Sequence, residues 1–145
     1  MIDRRDAQYI LSEIRMIGYF KRRIGVMQKM IDDIEIEIAE ITEPKSPNGK
    51  TDVSVKSDGR TSNVESRINA LISRQMNVEK EKSVFDFRLW KATAYFNRLK
   101  NTNESDFVED FFESGKTHRQ LEEKYHLSNA YDRMVRIIRN AIMKV

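Results

Sequence analysis

The chain has 145 residues, of which 39% are hydrophobic and 34% are charged, and its net charge is +3. This length suits one domain with an extended helical element, whereas the high charged fraction argues against two thick cores. The absence of cysteine excludes disulfide bonds and thiolate metal sites. No apolar stretch approaches the roughly 20 residues that a membrane span needs, so we expect a cytoplasmic protein without a membrane partner.

Residues 1–42 are dominated by apolar side chains that recur every seven residues. They occupy positions a and d of a heptad repeat, and Glu13 is the one polar exception. The apolar positions are Ile10, Ile17, Ile24, Ile31 and Ile38 at a, and Phe20, Met27, Ile34 and Ile41 at d. This isoleucine seam predicts one long coiled-coil helix and a homo-oligomer. The sequence leaves open whether the seam closes within one chain or between chains.

The next two segments differ sharply in composition. Residues 43–63 hold both prolines together with clusters of Ser, Thr, Asn, Asp and Lys, so we expect a flexible linker there. Residues 64–100 return to heptad spacing and predict a second long helix, whose apolar stripe is interrupted at Gln75 and Lys82. Two long helices joined by a linker favour an antiparallel hairpin.

The last segment, residues 101–145, predicts a small bundle of short helices. Gly115 is expected to end the first of them. The expected capping residues are, in chain order, Asn103 or Ser105, then Thr117 and Ser128. Two short helices around a break, the second of them basic, are typical of a helix-turn-helix. The predicted fold class is therefore all-α, with a helix-turn-helix bundle after the coiled-coil helix, the linker and the second long helix.

The last helix is amphipathic, and its two faces predict different roles. Its apolar side chains, expected to pack on Leu121 and Leu127, are Tyr131, Val135, Ile138 and Ile142. The N-terminal part of such a helix enters the major groove, so Asn129, Ala130 and Arg133 are predicted to contact base edges of double-stranded DNA. The other predicted DNA-contacting residues, chiefly for the phosphates, are Lys116, Arg119, Ser128, Arg136 and Arg139.

Residues 107–145 carry the features of a known family. The run is Phe107-Val108-x-x-Phe111-Phe112-x-x-Gly115-Lys116-Thr117, then Leu121, His126-Leu127-Ser128 and a basic helix ending in Ile137-Ile138. It resembles the sigma-region-4-like helix-turn-helix of the RinA/ArpU group of phage late-gene transcriptional activators, and the layout of the whole chain is similar too. The resemblance implies promoter binding and activation of late genes together with host RNA polymerase.

Two positions depart from that family pattern. Glu122 stands where the two helices cross and a small residue is usual, and Asp132 stands where a small or apolar residue is common. A carboxylate at either place costs energy unless it is paired. We expect His118, Arg119 or Arg136 to supply the partner.

Other functional classes have weaker support. His118 and His126 have no neighbouring ligand cluster, so no metal site is predicted. No nucleophile or paired-carboxylate pattern is present either, so we expect neither a cofactor nor enzymatic activity. Trp90, Tyr95 and Phe96 are interpreted as core residues rather than as a nucleic-acid stacking patch. The alternative function is a helical protein-interaction module that modulates a phage regulator and carries a vestigial DNA-binding motif.

Overall fold

The computed structural model describes residues 1–42 and 58–142, and these residues form six α-helices and no strand. The helices are α1 (Arg4–Arg15), α2 (Ile17–Thr42), α3 (Asp58–Lys100), α4 (Ser105–Glu113), α5 (His118–Tyr125) and α6 (Ala130–Ala141). The all-α prediction is confirmed. Among the described residues, no helix combines the length and the apolar character that crossing a membrane requires.

The first predicted helix is divided at Met16. Asp3 begins α1 by accepting a hydrogen bond from the Asp6 N–H at 2.8 Å, and Met16 ends α1 with φ −92° and ψ 3°. Because α1 packs against α6, its apolar face belongs to the core of the C-terminal helices. The prediction of one uninterrupted coiled-coil helix was wrong, since the seven-residue spacing continues through Met16 and gives no sign of the break.

The second long helix begins earlier than predicted. α3 starts at Asp58, so residues 58–63, expected in the linker, are helical. Extending a long helix by a few residues costs little once its nucleus exists. The composition of residues 58–63 does not reveal that they extend the helix. Residues 43–57, the rest of the predicted linker, lie outside the described residues.

The chain forms two compact units. The first comprises Met1–Lys21 with Asp86–Val145, and the second comprises Arg22–Phe85, so α2 and α3 contribute residues to both. The core of the first unit contains Leu121 and the apolar face of α6, with Leu127 packed against it. The predicted packing of the apolar face of the last helix on Leu121 and Leu127 is therefore confirmed. The second unit has a smaller core, in which Met27, Ile31 and Val78 are buried.

The isoleucine seam is largely filled within the single chain. Ile10 and Phe20 are buried in the first unit, whereas Met27, Ile31 and Ile34 are buried in the second. The remaining seam residues are half-buried; they are Ile17, Ile24, Ile38 and Ile41. The five buried side chains cannot contact a second chain in this conformation. Their assignment to an oligomerisation surface is corrected to intramolecular packing.

Glu13, the polar member of the seam, has a specific partner. It is buried, and the Arg88 guanidinium donates to both of its carboxylate oxygens, at 3.1 and 2.7 Å. The same guanidinium lies over the Phe20 ring, 4.7 Å from its centroid. The hydrogen bonds to Glu13 raise the pKa of Arg88. A buried carboxylate is tolerated here because its charge and its lone pairs are satisfied.

Candidate nucleic-acid interface

α5, the first helix of the predicted helix-turn-helix, begins with reciprocal capping. The Thr117 hydroxyl accepts from the Gln120 N–H at 3.1 Å, and the Gln120 side-chain oxygen accepts from the Thr117 N–H at 2.9 Å. This capping box satisfies two backbone donors that the helix itself leaves unpaired. Just before it, Gly115 follows the end of α4 with φ +76°. The predictions for Thr117 and Gly115 are confirmed.

The turn of the motif depends on His126. This residue has φ 56° and ψ 50°, the left-handed conformation, and its N–H donates to the Glu122 carbonyl. The Leu127 N–H donates to the same carbonyl at 2.9 Å. Left-handed residues commonly end helices, because they turn the chain while the last carbonyls remain hydrogen-bonded. The chain is thereby directed into α6.

The second helix begins one residue later than predicted. Asn129, not Ser128, is its N-cap, and the Asn129 side chain accepts from the Asp132 N–H at 2.9 Å. Both residue types cap helices well, so the sequence cannot distinguish the two neighbouring positions. The predicted N-cap of α4 was also wrong. Glu104, rather than Asn103 or Ser105, precedes this helix, and its side chain makes no capping hydrogen bond. α6 ends at Ala141.

Glu122 has a structural role at the helix crossing. Its carboxylate accepts from the Ala130 N–H at 2.8 Å. A negative charge there also complements the positive end of the α6 dipole. Ala130 itself is fully buried. The prediction that Ala130 contacts a base edge was therefore wrong: the small side chain occupies the crossing point, and Glu122 lies beside it.

Asp132 is paired with the first helix of the chain. Its carboxylate lies 2.7 Å from an Arg4 guanidinium nitrogen, so the expected partners His118, Arg119 and Arg136 were wrong. Near the other end of α6, Arg139 Nε donates to the Ile2 carbonyl at 3.0 Å. Arg139, predicted to face phosphates, thus anchors the N-terminus. α1 and the residues before it occupy one flank of α6.

The opposite flank of α6 is held by an acidic residue. The Arg133 guanidinium forms an ion pair with Glu104, which lies between α3 and α4. Arg133 was predicted to contact a base edge, and in the free protein its charge is already matched. DNA binding by Arg133 therefore requires exchange of the Glu104 carboxylate for a nucleic-acid acceptor. The sequence gives no indication of this pairing.

Between these flanks, one strip of α6 is open to solvent. Its exposed residues are Arg136 and Asn140, and the exposed N-cap Asn129 precedes them. Arg136 forms no ion pair or hydrogen bond with any described residue. Ser128 is exposed as well. Residues three and four apart on a helix share a face, so this strip could lie along a DNA groove.

The two predicted cations near α5 are exposed to different degrees. The Arg119 side chain is 89% exposed and lies 3.8 Å from Glu123, one turn further along the helix. Lys116 is less exposed and lies 3.9 Å from Asp110 on α4. An exposed ion pair of this kind is weak, so Arg119 remains available to a phosphate.

Asp110 connects α4 to α5 and was not singled out from the sequence. Its carboxylate lies 2.7 Å from Lys124 Nζ and accepts from the Tyr125 hydroxyl at 2.5 Å. The hydrogen bond from Lys124, followed by that from Tyr125, lowers the pKa of Asp110. The hydrogen bond to Asp110 raises the pKa of Lys124 in turn. These contacts fix the position of α5 in the bundle.

The aromatic residues near the end of α3 divide between core and surface. Tyr95 and Phe96 pack against the main core, as predicted. Trp90 is 67% exposed and contacts Phe87, with 6.1 Å between the ring centroids. The interpretation of Trp90 as a core residue was therefore wrong.

No protein-family model, curated protein or solved structure matches this chain. The geometry of α5, the turn and α6 therefore carries the functional argument. Within the described part of the chain, no group of three or more His, Cys, Asp or Glu side chains is arranged to hold a metal ion.

Proposed function

We propose that the chain binds double-stranded DNA through α5, the turn at His126 and α6, and that it regulates transcription as a homo-oligomer. The resemblance to RinA/ArpU activators suggests promoter DNA of late genes and a contact with host RNA polymerase. The single observation that carries the proposal is the open strip of α6, on which Arg136 is unpaired among the described residues. The remaining faces of this helix are packed or flanked.

The two departures from the family pattern are compatible with this function. Glu122 accepts from the Ala130 N–H, and Asp132 pairs with Arg4, so neither carboxylate is an unpaired charge beside DNA. Their negative charge is partly offset before DNA arrives. A helix-turn-helix with these residues can therefore approach the phosphates, although it lacks the strong cationic surface of a tight non-specific binder.

The test is to titrate a fluorescently labelled DNA duplex with the full chain and to measure binding by fluorescence anisotropy at several salt concentrations. The duplexes are promoter-proximal DNA from the gene's own neighbourhood and a scrambled sequence. Arg136→Ala is expected to weaken binding to both and to reduce the salt slope by about 1, because a phosphate contact is lost. Arg133→Ala is expected to cost about 1–3 kcal/mol on the promoter duplex alone.

Arg74→Ala is the matched control, since Arg74 is exposed on α3 and lies outside the motif. It removes the same charge and should leave the affinity nearly unchanged. Binding of the promoter duplex no tighter than the scrambled duplex, at low salt and high protein concentration, would falsify sequence-specific recognition.

The second candidate function is a helical protein-interaction module that modulates a phage regulator. It is favoured by the pairing of cations with acids inside the motif: Arg133 with Glu104, and Lys124 with Asp110. Such pairing leaves less positive charge for phosphates. If the folded wild-type chain binds neither the promoter duplex nor the scrambled duplex, this alternative is favoured.

A further inference from the structure

The outer face of α2 carries a second heptad stripe, opposite the seam that packs within the chain. Its members are separated alternately by four and three residues, and all of them are exposed. They belong to the second unit and are Arg22, Val26, Lys29, Asp33, Ile36 and Glu40. This outer stripe has the spacing by which one helix packs along another.

The side chains of the outer stripe lack partners within the described chain. Val26 and Ile36 are 49% and 59% exposed, which is high for large apolar residues at the same stripe of one helix. The four charged members make no ion pair or hydrogen bond with described residues. The stripe therefore has both apolar surface and charge available to a partner.

The order of residues in the stripe is complementary to its own reverse. When a second α2 runs antiparallel alongside the first, Arg22 meets Glu40 of the other copy, and Val26 meets Ile36. At the centre, Lys29 meets Asp33. Each pairing occurs twice, because an antiparallel pair of identical helices has two-fold symmetry. Every layer then joins opposite charges or two apolar side chains.

A parallel arrangement of the same helices is unfavourable. In register, each charged member of the stripe would meet the identical residue of the other copy, so that Lys29 faces Lys29 and Asp33 faces Asp33. Like charges in contact oppose association, and their repulsion selects against that orientation. Charge thus distinguishes the two possible orientations of the pair.

We propose that this outer stripe is a dimerisation surface, and that its partner is α2 of a second copy of the chain, bound antiparallel. Charge complementarity determines the occupant and the register. Only two apolar pairs contribute, so the dimer is expected to weaken at high salt, where the charge pairs are screened. Dimer formation by this surface requires no DNA, and it is separate from the buried isoleucine seam.

Sedimentation equilibrium of the full chain over a concentration series measures the dimer. Lys29→Glu places only acids at the centre of the stripe, and Asp33→Lys places only bases there. Each variant alone should raise the dimer dissociation constant by about tenfold or more, because the central pairs become repulsive. An equimolar mixture of the two should dimerise again, since the acidic centre of one variant then meets the basic centre of the other.

Lys21→Glu is the matched control for this series, because Lys21 is exposed on the same helix but lies off the stripe. It should dimerise like the wild type. Two results would overturn the proposal: a wild-type chain that stays monomeric at every concentration, or a dimer that forms equally well in both central variants.

Orientation is tested by cross-linking, which has no background because the chain lacks cysteine. Val26→Cys and Ile36→Cys are made as separate variants and mixed under oxidising conditions. The mixture should form a disulfide dimer, whereas Val26→Cys alone should not. In the antiparallel register the two introduced thiols of a Val26→Cys dimer are about 15 Å apart along the helix, beyond disulfide reach. Efficient cross-linking of Val26→Cys alone would establish a parallel dimer and overturn the proposed orientation.

Discussion

At the scale of single residues, His126 carries the conformational cost of the turn. It is the only residue other than glycine with positive φ in the described part of the chain, and its side chain is exposed. A left-handed conformation costs an L-residue roughly 1–2 kcal/mol, from which glycine is exempt. We predict that His126→Gly stabilises the protein by about 0.5 kcal/mol and that His126→Val destabilises it by about 1–2 kcal/mol. Urea unfolding followed by circular dichroism measures both changes.

Substitutions at two glycines test whether backbone conformation explains the effects predicted at His126. Gly115 has φ +76°, so Gly115→Ala should destabilise, although a Cβ there would meet nothing within 4 Å. Gly25 lies within α2 and its Cβ would also meet nothing, so Gly25→Ala should stabilise by up to about 1 kcal/mol. Equal effects of the two alanines would contradict a conformational origin.

At the scale of helices, Asp110 makes the attachment of α4 to α5 sensitive to pH. The hydrogen bonds from Lys124 and Tyr125 lower its pKa in the folded state. A lowered carboxyl pKa stabilises the fold above the unfolded-state pKa, and this contribution is lost as pH falls through the folded pKa. We predict that the free energy of unfolding of the wild type falls between about pH 5 and pH 2 more steeply than that of Asp110→Asn.

The measurement is a set of urea unfolding curves at each pH. Glu109→Gln is the control, because Glu109 is exposed on the same helix and forms no hydrogen bond or ion pair with the described residues. It should show nearly the wild-type slope. A parallel pH dependence of the wild type and Asp110→Asn would show that the contacts of Asp110 contribute nothing to stability.

The sequence predicted where helices begin and end better than it predicted which elements pack against each other. Thr117 and Gly115 were correctly assigned, because a capping box and a C-terminal glycine are local features that act within a few residues. The break at Met16 was missed, because packing of α1 on α6 is decided by contacts that are distant in sequence. The same limit applies at the site: Asp132 pairs with Arg4, 128 positions away, and no spacing rule connects them.

The contacts of individual residues were less predictable from the sequence than the helices that contain these residues. The amphipathic pattern correctly predicted the packed face of α6, because burial follows helical periodicity. The same pattern wrongly placed Ala130 on the face of α6 that was predicted to contact DNA. A small residue suits the crossing of two helices as well as it suits the DNA major groove. The isoleucine seam was correct as an apolar stripe, but periodicity does not specify which chain provides the other half. Here Met27 and Ile31 are covered within the chain itself.

At the scale of the whole molecule, a net charge of +3 would give the proposed DNA association only a modest long-range attraction. In the proposed complex, ion pairs within the protein would therefore limit how much positive charge is available to the phosphates. Arg133 is the clearest case, because Glu104 holds its guanidinium in the free protein. In the proposed DNA complex, exchanging that carboxylate for a DNA acceptor would offset part of the binding energy.

We predict that Glu104→Gln increases DNA affinity by about threefold to tenfold at low salt, because Arg133 loses its competing carboxylate. Glu109→Gln raises the net charge by the same amount, so it reproduces the general gain in attraction without releasing an arginine. Anisotropy titrations of the two variants on one duplex separate these effects. If both variants bind equally tightly, net charge explains the gain and Glu104 does not restrain Arg133. A larger gain for Glu104→Gln, abolished by adding Arg133→Ala, assigns the restraint to this one ion pair.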